Sequence, residues 1–169
     1  ALMAGIVLDT KNFTMRTGGR TFEAAALLRR AGGDTNQVKK LFQTDLTDTI
    51  AKYRIIQNAR IYRGDIAIAP VEHDVGRVAA AQAADEFLNI AGINTSFVLY
   101  QAEDRVILSA RSINDTNVQV IAEALGGGGN GAAAGAQIPG RSVEEVTELL
   151  TASLYNYFSE DEGPQPESV

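Results

Sequence analysis

The sequence predicts an α/β domain with a mixed β-sheet flanked by helices, preceded by a helical segment that belongs to another lobe. Before residue 60 the apolar residues recur mainly at helical spacing, whereas after residue 60 short β-rich runs alternate with helical runs. Such alternation is typical of a sheet with helices packed on its faces. With 169 residues and 45% hydrophobic content, the chain can bury a sizeable core.

The composition narrows the classes of function. A net charge of −6 argues against duplex nucleic acid as a partner, although a small phosphorylated ligand held by a few local groups stays compatible. Without cysteines, the chain has no disulfide or thiolate site, which suits a reducing cytosol, and any metal must bind carboxylates or the single histidine, His73. No apolar run reaches the roughly 18 residues that a membrane span needs, so no membrane contact is expected from this segment.

The first 59 residues are predicted to be largely helical. Residues 1–8 form an unbroken apolar run that fits either a buried strand or the end of a buried helix. Thr21 and Asp34 are predicted to be the N-caps of two short helices. Residues 45–59 carry apolar side chains at helical spacing with charged residues between them, which predicts an amphipathic helix.

Short strands and helices alternate from residue 60 onward. Strands are predicted over 60–63, 66–69, 95–101 and 105–112, and helices over 78–90, 118–125 and 143–157. The first two strands form a hairpin that Pro70 should end, and the next two form a second hairpin. Ser142 and Glu145 have the spacing of a capping box at the start of the last helix.

Four consecutive glycines, Gly126, Gly127, Gly128 and Gly129, followed by Asn130, form the strongest candidate for a ligand site. Without Cβ atoms, such a run lets several N–H groups point into one concavity and lets an anion approach the main chain. The alternative is a flexible linker, which would normally carry Ser or Thr and have polar flanks. Because the run joins two ordered elements, a phosphate-binding loop is favoured.

Ser109 and Arg111 form a second candidate. Alternate side chains of a strand share a face, so the hydroxyl and the guanidinium would meet at a strand end and could clamp a phosphate. The alternative is a surface arginine without a ligand. Arg16 and Arg20 could likewise be phosphate contacts or surface arginines without a ligand. His73 lies in a polar loop and is expected to be solvent-exposed.

Several motifs together resemble those of a known family. They are Gly5-Ile6-Val7-Leu8-Asp9-Thr10, Arg16-Thr17-Gly18-Gly19-Arg20-Thr21-Phe22, Ala81-Gln82-Ala83-Ala84-Asp85, Ser109-Ala110-Arg111-Ser112 and the glycine run. In this order they resemble the C-terminal part of DHH-type phosphoesterases, in particular cyclic-di-AMP phosphodiesterases of the GdpP type. The resemblance implies an edge of the catalytic domain over 1–44, a connecting helix over 45–59, the DHH-associated substrate-binding domain over 60–158 and a disordered acidic tail over 159–169.

The resemblance implies hydrolysis of cyclic-di-AMP to linear pApA with two metal ions, usually manganese. Asp9 would be one metal ligand, and Arg111 with the glycine run would hold the substrate. The other ligands of such enzymes come from upstream motifs, so this chain alone is expected to be inactive. A cytoplasmic location, a parent protein anchored in the bacterial membrane by N-terminal helices, and a possible homodimer are further expectations from the resemblance.

Two positions depart from the family pattern. A histidine usually follows the glycine run, whereas this chain has Asn130, and Ala133 stands where asparagine is common. Asparagine carries no charge, so weaker or altered binding is expected. Two alternatives stay open: a superfamily enzyme that degrades short oligonucleotides such as pApA, or polyphosphate, and a non-catalytic nucleotide-binding module.

Overall fold

The computed structural model of the chain describes residues 1–10, 12–14, 17–113 and 115–161. These residues form two compact units, Ala1–Asp45 and a second unit that begins at Leu46. Across the described ranges, the helices lack the combination of length and apolar character that a bilayer crossing requires.

The first unit is helical, with α1 (Leu2–Asp9), α2 (Gly19–Arg30) and α3 (Thr35–Leu41). Of the two predicted interpretations of the apolar run at the start, the helix is therefore the correct one. Asp34 is confirmed as an N-cap, because its carboxylate accepts the N–H of Asn36 at 2.9 Å. The prediction that Thr21 is an N-cap is wrong. The helix begins two residues earlier, after the extended residue Gly18, and the Thr21 hydroxyl accepts the Gly18 N–H at 3.4 Å.

The second unit carries the sheet. Its elements are α4 (Leu46–Gln57), β1 (Arg60–Tyr62), β2 (Ile66–Val71), α5 (Arg77–Phe87), β3 (Thr95–Ala102), β4 (Arg105–Ser112), α6 (Val118–Ala124), β5 (Gly128–Asn130), β6 (Ala133–Pro139) and α7 (Val143–Asp161). The strand order is β1-β2-β3-β4-β6-β5. Strands β2 and β3 pair in parallel, and every other pair is antiparallel. The predicted mixed sheet flanked by helices is confirmed.

The sheet has helices on both faces, and we name each face by its main helix. On the α7 face, Val106, Leu108 and Ala110 of β4 pack with α6 and α7. On the α5 face, β2 and β3 pack against the alanines of α5 and against Ile55 of α4. The strand alternation that the sequence predicted therefore separates two hydrophobic clusters.

Helix α5 covers only part of the α5 face of the sheet. It packs on β3 and β4, and the buried Ser96 hydroxyl fixes it to β3 by donating to the Ala84 carbonyl oxygen at 2.7 Å. Beyond β4, the strands β6 and β5 continue the same face. The part of the α5 face that β6 and β5 form, beside α5, is therefore open to a ligand.

Two predicted boundaries differ from the structure. Strand β2 continues through Pro70 to Val71, whereas its neighbour β1 pairs with it only as far as Ile68. Beyond Ile68 the outer side of β2 lacks a ladder partner, and proline is tolerated in such a position. Helix α7 extends to Asp161, into the segment predicted as a disordered tail, and the rest of that segment lies outside the described residues.

Candidate functional site

Ser109 and Arg111 lie on the same face of β4, as the alternation predicted. Both line a cleft of about 350 Å³ on the α5 face. Gly128 and Gly129 of β5 also line this cleft, and so does Arg77 at the start of α5. A hydroxyl, two guanidinium groups and a glycine main chain thus share one cavity.

A second cleft, of about 540 Å³, adjoins the first. The two share Arg77, Tyr100 and Gly128, and the second extends along Gly126, Gly127 and Gln137. We call the two together the glycine cleft. Its floor is the part of the sheet that α5 leaves uncovered.

Arg111 is held in one orientation at the edge of the cleft. Its Nε lies 3.3 Å from Oδ1 of Asp85 on α5, and its Nη1 donates to the Ala110 carbonyl oxygen at 2.8 Å. The side chain is 21% exposed. These contacts favour a preorganised anion-binding group over a freely solvated surface arginine, since a planar guanidinium fixed by two partners still has further N–H donors.

Arg77 and Tyr100 are cleft residues that the sequence analysis missed. Arg77 is exposed, and among the residues that the structure describes its guanidinium makes no hydrogen bond or ion pair. The Tyr100 side chain is almost fully buried, and burial raises the pKa of its phenol; nearby Asp74 raises it further, while Arg77 opposes the shift. The phenol therefore stays protonated at neutral pH and can donate a hydrogen bond.

No local pattern marks either residue. Arg77, Tyr100 and Arg111 are far apart in the sequence and lie on three different elements. The crossover through α5 between the parallel strands β2 and β3 brings them together. The glycine run and the Ser109–Arg111 pair were the sequence signals that pointed to this cleft.

The glycine run is not a free loop. Gly126 has a φ of 81° and ends α6, donating its N–H to the Glu123 carbonyl oxygen at 3.0 Å, while Gly127 donates to Ala122 at 2.8 Å. This is a Schellman motif, which satisfies the last carbonyl groups of a helix. The expectation of a row of free N–H groups is therefore wrong for Gly126 and Gly127.

The rest of the run forms the edge strand β5. Gly128 and Gly129 pair with β6 in antiparallel register. A Cβ atom on Gly127 would overlap the Gly135 carbonyl oxygen, and one on Gly129 would overlap the Ala133 carbonyl oxygen. At Gly128, in contrast, a Cβ would meet no protein atom within 4 Å. Close approach of the backbones explains two of the glycines, whereas Gly128 borders open space.

Asn130 closes the turn between β5 and β6. Its Oδ1 accepts the N–H groups of Ala132 and Ala133, both at 3.0 Å. The residue is exposed, and it is not among the residues that line the glycine cleft. Its carboxamide oxygen is thus engaged by the protein backbone.

The other candidates lie away from the cleft or in the first unit. Asp9 is the exposed last residue of α1. His73 is exposed in the loop before α5, as expected. Arg20 is exposed in α2, and Arg16 lies outside the described residues. Within the described residues, no group of three or more His, Cys, Asp or Glu side chains could hold a metal ion.

The structure belongs to a class of α/β domain in which one face of the sheet is open. Beside the close-packed glycine strand β5, this face can receive an anionic ligand. The chain belongs to the DHHA1 domain family, whose sequence profile matches residues 63–156. This match includes every residue of the glycine cleft. The identification agrees with the family resemblance of the motifs.

Similar proteins extend the match beyond this domain. The chain is 43% identical to the cyclic-di-AMP phosphodiesterase PdeA of Listeria monocytogenes, over 94% of this chain and 24% of the relative. It is 40% identical to the cyclic-di-AMP phosphodiesterase GdpP of Bacillus subtilis, over 94% of this chain and 25% of the relative. The chain therefore spans about a quarter of the length of these relatives.

A solved structure shares the fold. The crystal structure of an exopolyphosphatase-related protein from Bacteroides fragilis superposes with a TM-score of 0.80 and 18% identity, over 90% of this chain and 48% of that protein.

Proposed function

We propose that the glycine cleft binds a cyclic dinucleotide, cyclic-di-AMP, and that the chain is the substrate-binding part of a phosphodiesterase that hydrolyses this ligand to pApA. The observation that carries the proposal is the meeting of Arg77, Tyr100, Ser109 and Arg111 beside Gly128 in one cavity. PdeA and GdpP align with nearly the whole chain, and both are named cyclic-di-AMP phosphodiesterases, which supports the choice of ligand.

Each group has a role that follows from its chemistry. A phosphodiester carries one negative charge, which a guanidinium can meet with two parallel hydrogen bonds, so Arg111 and Arg77 are the phosphate contacts. The Ser109 hydroxyl and the Tyr100 phenol are neutral donors for phosphate or sugar oxygens. Gly128, whose missing side chain leaves open space, lets a base or sugar lie against the main chain.

The family resemblance implies that the parent phosphodiesterase is metal-dependent. The described residues of this chain do not by themselves fit a metal pair, since they contain no cluster of candidate ligands and Asp9 is exposed. Asp9 as one ligand and manganese as the ion remain parts of this proposal, with the remaining ligands supplied from outside the chain. Accordingly the chain should bind substrate without hydrolysing it. A homodimer and a membrane-anchored parent are proposed on the family resemblance alone.

Calorimetric titration of the chain with cyclic-di-AMP, pApA and cyclic-di-GMP, with and without manganese, tests the proposal. We expect cyclic-di-AMP to bind without metal. Arg111→Ala should weaken binding at least about tenfold, because a hydrogen bond to a charged group contributes about 1.5–3 kcal/mol. Arg141→Ala is the matched control, since it removes the same charge at an exposed position that does not line the cleft.

The outcomes separate the alternatives. Tighter binding of pApA than of cyclic-di-AMP would favour an enzyme for short linear oligonucleotides. Binding of cyclic-di-AMP by the chain, combined with no hydrolysis by the full-length parent, would favour a non-catalytic nucleotide-binding module. If none of the three ligands binds, or if Arg141→Ala weakens binding as much as Arg111→Ala does, the assignment of the cleft is wrong.

A further inference from the structure

The end of the last helix is attached to the segment that precedes α6. The Tyr157 hydroxyl accepts the N–H of Asn117 at 2.9 Å and lies 3.4 Å from the Asp115 carbonyl oxygen, to which it donates. The Tyr157 ring contacts the Phe158 ring edge-on at 5.1 Å, and the Arg63 guanidinium lies over Phe158 at 4.5 Å. The phenol of Tyr157 is thus held in place and bridges two backbone groups of one short segment.

The same segment holds the tip of the β5–β6 hairpin. Next to Asn117, the N–H of Val118 donates to the Gly131 carbonyl oxygen at 3.1 Å, and the N–H of Ser112 donates to the Ala132 carbonyl oxygen at 3.0 Å. A Cβ on Gly131 would lie only 3.6 Å from Asn117 Oδ1, so the turn lies against the Asn117 side chain. Within the hairpin, the turn is held by the two N–H groups that Asn130 Oδ1 accepts and by the ladder of β5, which is only three residues long.

Tyr157 itself is outside the site. It lines neither part of the glycine cleft, and its helix packs on the opposite face of the sheet. Any effect of its hydroxyl on a ligand in the cleft must therefore pass through residues 115–117 and the hairpin.

We propose that Tyr157 is a positioning residue for the glycine cleft: by holding residues 115–117 it fixes the β5–β6 hairpin, and with it Gly128, in the cleft that Arg111 also lines. The ligand part of this inference rests on the proposed function. The hydroxyl acts on the hairpin whether or not a ligand is bound, so the end of α7 sets the width of the cleft without touching its contents.

Tyr157→Phe tests the inference, since it keeps the ring and its contact with Phe158 and removes one hydroxyl. Tyr155→Phe is the matched control, because Tyr155 is 66% exposed on the same helix. The first readout is hydrogen exchange at the Val118 amide, compared with the Val98 amide in the buried middle of β3. The second readout is the Kd for cyclic-di-AMP.

We expect Tyr157→Phe to accelerate exchange at Val118 about fivefold, the factor that corresponds to one lost hydrogen bond, with a smaller change at Val98. The Kd should rise by a similar factor, and Tyr155→Phe should change neither quantity. Unchanged exchange at Val118, or equal acceleration at Val118 and Val98, would overturn the inference, since the hydroxyl would then have no local effect on the hairpin.

The two readouts also separate this inference from the proposed function. If exchange at Val118 accelerates but the Kd stays constant while Arg111→Ala weakens binding, the cleft does not depend on the hairpin position and the positioning role is refuted. If the unmodified chain does not bind cyclic-di-AMP at all, the proposed function fails, and the exchange measurement alone decides whether Tyr157 holds the hairpin.

Discussion

The four positions of the run are occupied by glycine for different structural reasons. Gly126 adopts a positive φ at the end of α6, and Gly127 and Gly129 lie too close to neighbouring backbone for a Cβ atom. Gly128 has neither constraint: its Cβ would enter open space in the cleft. Under the proposed function, the absence of a side chain at Gly128 leaves room for the ligand.

Gly128→Ala should leave the fold intact and weaken ligand binding. With no protein atom near the new methyl group, we expect the stability to change by less than about 0.5 kcal/mol, as for surface substitutions. The Kd for cyclic-di-AMP should rise about tenfold. Thermal melts and calorimetry measure the two effects, and Gly19→Ala is the control, because it also adds a methyl group with no protein atom within 4 Å, at a residue that does not line the cleft. An unchanged Kd would place the ligand elsewhere.

At the level of secondary structure, the sequence predicted the two hairpins over 60–69 and 95–112 well apart from the end at Pro70, because alternating apolar residues and polar turns leave a clear local pattern. It failed at β5 and β6. Glycine and alanine have low strand propensity and no alternation, so nothing local distinguishes 128–137 from a loop. The pairing of β6 with β4, which converts this segment into strands, is a tertiary effect.

Asn130 is expected to stabilise the turn of this hairpin. Asn130→Ala removes the acceptor of two backbone N–H groups and should destabilise the domain by about 1 kcal/mol. Asn130→Asp keeps an acceptor oxygen at the same place and should retain most of the stability. Chemical denaturation of the three proteins measures the difference. Equal losses for both variants would show that the side-chain oxygen does not hold the turn.

The N-terminus of α7 makes the stability of the domain depend on pH. The Ser142 N–H donates to the Glu145 carboxylate at 2.8 Å, and the Glu145 N–H bonds the Ser142 hydroxyl, which confirms the predicted capping box. The hydrogen bond from the Ser142 backbone lowers the pKa of Glu145; the Ser142 hydroxyl and Arg141 lower it further, and desolvation opposes them.

Because the pKa is lower in the folded state, the stabilisation by ionised Glu145 is present above the unfolded pKa, near 4.5, and is lost as the pH falls through the folded pKa. Glu145→Gln should therefore lower the Tm at pH 7 slightly, and its Tm should fall less between pH 5 and pH 3 than that of the unmodified chain. Parallel pH profiles of Tm for the two proteins would contradict the assignment.

At the level of the whole molecule, the site is an outcome of topology. Arg77, Tyr100 and Arg111 approach one another because α5 crosses between two parallel strands and β4 returns beside the second of them. The glycine run and the alternation of Ser109 with Arg111 were visible in the sequence and were supported by the family resemblance, but Arg77 and Tyr100 belong to no short motif. Their roles depend on which strands are neighbours, and local patterns do not carry that information.

The second unit should fold without the first. Both hydrophobic clusters consist of residues from Ile55 onward, whereas the described part of the first unit buries only Met3 and Val38 among its apolar side chains. A chain that begins at Leu46 should therefore unfold cooperatively, with a Tm within about 5 °C of the full chain, the shift that roughly 1 kcal/mol produces. Circular dichroism melts test this, and a broad, non-cooperative transition would show that the first unit is needed for folding.

The two edge strands of the sheet, β1 and β5, are each only three residues long. An exposed edge is where strands of different molecules join and begin to aggregate, and nature commonly shortens such edges to prevent it. Besides the outer sides of these short strands, the described edges include the parts of β2 beyond Ile68 and of β6 beyond Gly135 that extend past them. The uncovered face of the sheet and its edges are separate surfaces, so a ligand can bind on the face while the edges stay short.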